Sequence, residues 1–177
     1  MDTGGLQTKK NTTGTELGKL GSETNALNQT TITSQRDRFW KEWESCNLKH
    51  WTPLESVPDI TVAKLEGMKE RIGNLIKQPS SKEKAVLVYQ LVEFADLFGI
   101  KCDIKKLARE YDTSVELPLD LFYEAVMTLK KTWKYGFRMP TPGEINDIGK
   151  AKLAHRIKIY TMINLAIQRK NEKRSRK

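Results

Sequence analysis

His50 and His155 are the only imidazoles in the 177-residue chain, and neither belongs to a cluster of Cys, His or carboxylates at metal-ligand spacing. A nucleophile–base pair would have to recruit one of them without any local motif around it. No GxxxxGK[ST] loop is present to cradle phosphates, and no GxGxxG follows a strand-like run. Cys46 and Cys102 form no CxxC and are too few for a disulfide framework, so both read as free thiols in a reducing compartment. Carboxylate pairs on helix surfaces are too common to mark an acid–base site. The residue types therefore point away from an enzyme, and neither a metal nor a cofactor is expected.

Charge carries more information. The chain has 31 Lys+Arg and 22 Asp+Glu, a net charge of +9. Ten of the basic residues and one acid, Glu172, lie between Lys150 and Lys177, which leaves twenty-one of each sign in residues 1–149. The body is neutral and the end is basic. Lys152, Arg156, Lys158, Arg169, Lys170, Lys173, Arg174 and Arg176 are the candidate nucleic-acid contacts, of the kind that gives salt-dependent, sequence-independent affinity. The same run also suits a solvated helix end favoured by the macrodipole. An interfacial membrane helix fits less well, since Tyr160 is its sole aromatic anchor.

Aromatic residues form two groups. Phe39, Trp40 and Trp43 fall at helical spacing, and Trp133, Tyr135 and Phe137 stand at every second position, with Lys134 and Gly136 between them and Arg138 next. Burial is one use for such rings, because they carry large burial energy. Anchoring a protein partner is the other, because aromatic residues and arginine dominate interface hot spots. All seven are candidate partner-binding residues.

The elements that must position these groups read as helices throughout. Residues 1–34 contain no aromatic and are rich in Thr, Gly, Asn and Gln, the composition of a disordered leader. Residues 35–58 read as an aromatic helix capped by Ser34, then a connector marked by Pro53 and Pro58. Residues 59–77 carry an amphipathic stripe, with Asp59 as the expected cap. Ser80 and Glu83 form a capping box before a run apolar on most of its circumference, which reads as the central core helix. Asp103 starts a short helix, and Pro118 and Asp120 open another that ends near Tyr135 and Gly136. Thr141, Pro142 and Glu144 cap a last helix running to about Lys170, with a basic tail over 171–177. No alternating run reads as a strand. The predicted fold is all-α, a bundle of five to six helices within a single domain over 35–170. No apolar run reaches the roughly 20 residues of a membrane span, and no signal-peptide pattern opens the chain, so a soluble cytoplasmic protein is expected.

The stretch LPLDLFYEAVMTLKKTWKYGFRMPTPGEI resembles a module of phage and bacterial replication proteins of the helicase-loader type. Pro118, Asp120, Ala125, Trp133, Phe137, Pro140, Thr141, Glu144 and Ile145 carry the resemblance, which extends over roughly residues 84–170. It implies a small helical protein that binds a replicative helicase and helps place it on single-stranded DNA. The chain lacks an ATPase domain, so the resemblance implies the ATPase-free kind, which works by binding alone. The competing expectation is a phage structural or assembly protein whose basic tail neutralises nucleic acid. A transcriptional regulator fits less well, for want of a short recognition helix after a Gly turn.

Overall fold

A computed structural model describes residues 33–176. The predicted leader falls almost wholly outside the described residues. Among those described, every regular element is helical: α1 over 33–44, a single 3-10 turn at Asn47–His50, α2 (Val62–Ile76), α3 (Ser81–Leu97), α4 (Ile104–Ser114), α5 (Leu119–Thr132) and α6 (Pro142–Ser175). The all-α bundle read from the sequence is therefore the observed fold.

Two apolar clusters form its core. The first gathers Phe39, Trp43, Leu48 and Trp51 with the buried stripe of α2 (Leu65, Met68, Ile72, Leu75) and the second half of α6 (Ile159, Ile163, Ala166, Ile167). The second joins Leu87, Leu91 and Phe94 of α3 and Leu107 and Tyr111 of α4 to the α5 stripe and Ile145 of α6. Burying each of these large side chains contributes about 1.5–3 kcal/mol relative to leaving it in water. The helix common to both clusters is α6, which packs on α2 along one half and on α5 and α4 along the other.

This corrects the expectation that the apolar run of α3 makes the central helix. α3 packs mainly against α4 and α5, and its Val86, Val88 and Val92 are only half-buried. α6 is central because it is long enough to serve two cores in succession along one buried face. Its buried positions, among them Ile145, Gly149, Arg156, Ile159, Ile163 and Ala166, recur at helical spacing, and Ile157, expected in the apolar stripe, falls off it and is exposed.

Local caps follow short-range chemistry. Both capping boxes form, Ser80 with Glu83 and Thr141 with Glu144, and Asp103 accepts hydrogen bonds from the amides of Lys105 and Lys106. α2 is capped by Thr61 rather than Asp59, its side chain accepting from the amide of Lys64 at 3.2 Å. Ser34 does not cap α1, because the helix is already formed at residue 33. α5 ends three residues sooner than expected, at Thr132. α6 continues to Ser175, so most of the expected tail is helix. Cys46 is buried, and its Sγ accepts from the Leu48 amide at 3.5 Å, while Cys102 is half-buried.

Gly149 is the closest approach in the second cluster. A Cβ placed there would lie 2.6 Å from both Cδ atoms of the buried Leu117. Gly149→Val is expected to destabilise the fold by about 2–3 kcal/mol, since overpacking outweighs the helix propensity gained by leaving glycine. Urea unfolding of the variant beside wild-type checks this. A neutral effect would mean that Leu117 moves aside freely.

Candidate functional site

Six large apolar residues are well exposed among the described residues, and four of them crowd one end of the bundle. These are Leu97 (62%) at the end of α3, Ile104 (56%) at the start of α4, and Tyr135 (48%) and Phe137 (81%) in the α5–α6 turn. The chain direction brings them together: α3 and α5 finish where α4 and α6 begin, and Trp133 meets Phe94 of α3 edge-on at 5.8 Å.

The turn holding Phe137 is braced. The Trp133 indole N–H donates to the carbonyls of Tyr135 (2.8 Å) and Arg138 (3.2 Å), closing the loop on itself. The Arg138 guanidinium lies over the rings of Trp133 (5.0 Å) and Tyr135 (4.8 Å). It also donates two hydrogen bonds, 2.9 and 2.7 Å, to the two carboxylate oxygens of Glu144. Beneath it, the buried Tyr111 hydroxyl donates to the Pro140 carbonyl. Burial, with the negative charges of Glu110 and Glu144, pushes the Tyr111 hydroxyl's pKa upward against the opposing charge of Arg138. Asn146 ties the start of α6 to the far end of α4, donating to the Ser114 carbonyl (2.8 Å) and accepting from the Glu116 amide (3.2 Å). Phe137 is thus presented on a prepaid scaffold, the condition under which an anchor residue binds with little ordering cost.

Glu144 is the keystone of that brace. Hydrogen bonds from Arg138, then from the Thr141 amide, hold its carboxyl down at about 2 against an ordinary 4.5. Because the folded value is the lower one, the stabilisation is complete above about pH 4.5 and disappears as pH falls towards 2. The stability difference between wild-type and Glu144→Gln is therefore expected to shrink steadily across that window. Acid titration of both proteins by circular dichroism checks it, and a gap constant from pH 6 to pH 2 would be the contrary result.

Of the expected partner-binding residues, Trp133, Tyr135, Phe137 and Arg138 are brought together here. The other three are not. Phe39 and Trp43 are buried in the first cluster, and Trp40 is half-buried, stacked on His155 at 5.9 Å. The spacing that reads as an anchor patch is the stripe by which α1 docks on the body.

The basic residues divide in the same way. Arg156 is removed from the expected nucleic-acid set: with its partner Asp120 it is almost fully buried, at 4% and 8% side-chain exposure. Its guanidinium donates to both Asp120 oxygens (2.9 and 2.5 Å) and to the Leu75 carbonyl (2.7 Å) in the last turn of α2. Lys152 is exposed but paired with Glu124. Arg169 lies over Trp51 at 5.7 Å and donates to the Glu55 carbonyl at 3.4 Å, fixing the connector to α6. Lys158, Lys173, Arg174 and Arg176 are exposed and Lys170 is half-buried, and among the described residues no acidic side chain pairs with any of the five. The cationic surface that remains is thus the C-terminal quarter of α6 with Lys158 outlying.

Sequence reasoning missed Leu97 and Ile104, whose exposure depends on where the helices stop. It also missed the Arg156–Asp120 pair, although a signal existed: Arg156 stands three and four residues from Leu153, Ile159 and Tyr160, on the buried stripe of α6. Among the described residues no group of three or more His, Cys, Asp or Glu could hold a metal ion. None of the described helices is long and apolar enough to cross a membrane. No family model, no characterised protein and no solved structure is similar to this chain.

Proposed function

We propose that the protein is a non-catalytic adaptor of DNA replication, acting in the cytoplasm of a bacterium or on behalf of a phage. The braced turn at Trp133–Glu144 docks a replicative helicase, and the cationic end of α6 contacts single-stranded DNA. The observation that carries the reading is the separation of the two surfaces. An exposed, preorganised aromatic anchor opens α6, and cations with no acidic partner among the described residues close it. Such an arrangement suits a molecule that joins two partners rather than one that transforms a substrate. The choice of a helicase and of single-stranded DNA rests on the resemblance carried by Trp133, Phe137, Pro140, Thr141 and Glu144.

Mixing the full chain with the replicative helicase of its own cell and a labelled oligo-dT strand tests this. A ternary complex is expected by analytical ultracentrifugation. Failure to bind the helicase, together with assembly of the chain into a defined oligomer, would instead support a phage assembly protein.

A further inference from the structure

We infer that the exposed apolar end of the bundle receives an acidic, amphipathic protein segment. This rests on the docking reading above and specifies the chemistry of the docked partner. Leu97, Ile104, Tyr135 and Phe137 offer an apolar floor where the helix ends meet, with the Tyr135 and Phe137 rings edge-on at 6.3 Å. Beside Phe137 the floor dips into a groove of about 300 Å³ between the α3–α4 loop and the α5–α6 turn. Two of the four floor residues are aliphatic. They offer no flat ring for a nucleobase to stack on, but they suit leucine- or phenylalanine-like side chains.

The rim supplies the sign. Lys101, Lys105, Lys106, Lys131 and Lys134 are all exposed around this end. Two of the acids there are paired, Glu144 with Arg138 and Glu93 with Lys130. Asp96, Asp103 and Glu110 keep their charge, Asp103 while capping α4, and the five lysines outnumber them. An incoming segment with apolar anchors on one face and carboxylates at its edges matches both features, and like-charged segments are turned away.

The test uses the full chain and three probes: an acidic amphipathic helical peptide with Leu and Phe on one face, its lysine counterpart, and oligo-dT. Amide shifts are followed by two-dimensional NMR and affinity by fluorescence anisotropy. The acidic peptide is expected to shift residues 97–106 and 133–138 and to bind more weakly as salt rises. Phe137→Ala and the pair Lys105→Glu with Lys134→Glu should each weaken it about tenfold or more, with unchanged thermal unfolding. Absence of those shifts, or preference for the lysine peptide, overturns the inference. So does oligo-dT shifting the same amides while the peptide does not, which would make the surface a stacking platform. The two readings can fail separately. If the helicase binds through Phe137 but ignores the lysine reversals, docking stands and the acidic occupant is wrong. If the acidic peptide binds here and the helicase does not, the occupant's chemistry stands and the helicase is wrong.

Discussion

Arg156→Ala is expected to lower the unfolding free energy by about 3–5 kcal/mol, the largest single effect in the molecule. The substitution leaves the Asp120 carboxylate buried without its counter-charge and takes a donor from the Leu75 carbonyl, one of the last acceptors of α2. It also acts where the two apolar clusters meet, since the guanidinium links α6, α5 and α2. Removing both charges together, as Arg156→Met with Asp120→Leu, should cost much less than the sum of the two single changes. Urea denaturation of wild-type, Arg156→Met, Asp120→Leu and the double variant gives the coupling directly. A single-variant cost under about 1 kcal/mol would show that water or rearrangement compensates the orphaned carboxylate.

The second large effect concerns DNA. Changing Lys173, Arg174 and Arg176 together to Gln should reduce the slope of log affinity against log salt by about 2 for single-stranded DNA, and affinity at 0.1 M salt by about a hundredfold. All three side chains are exposed, and no ion pair among the described residues is lost, so stability should change by no more than about 0.5 kcal/mol. Glutamine keeps the helix, which makes the result a statement about charge rather than folding. An unaltered slope would remove the end of α6 from the interaction. Arg156 gives the opposite pattern, a stability effect without a direct charge effect, and the two sets of variants together separate structural from binding arginines.

The helices were legible because their signals are local. Ser80 with Glu83, and Thr141 with Pro142 and Glu144, satisfy the first amides of their helices within four residues of chain. The α2 and α5 stripes were legible for the same reason: one face is buried along the whole helix, so the period survives. α6 defeats that logic. Its buried stripe includes Gly149 and Arg156 while Ile157 lies outside it, so the apolar pattern blurs, and a buried arginine hides among surface-like cations. The site was half visible. Trp133, Tyr135, Phe137 and Arg138 stand close in sequence and close in space. Phe39 and Trp43 carry the same chemistry yet are buried, because α1 lays them on the first cluster, whereas Tyr135 and Phe137 stand in a turn beyond the end of α5. Leu97 and Ile104 join Phe137 only through the meeting of helix ends, a relation no window of sequence contains.

The continuity of α6 has a mechanical consequence. Thirty-four helical residues make a rod of about 50 Å, stiffened along most of its length by the two cores it crosses. A partner seated at Phe137 and a strand gripped at Arg174 would be held at a fixed separation, not merely on one leash. For a rigid spacer the gain in effective concentration is steep and conditional: high when the span matches the geometry of the assembly, almost nil when it does not. The protein would therefore measure as well as join. Lengthening α6 by one or two turns beyond the last buried residue, Ile167, would change which strand position the complex can reach while leaving both grips intact.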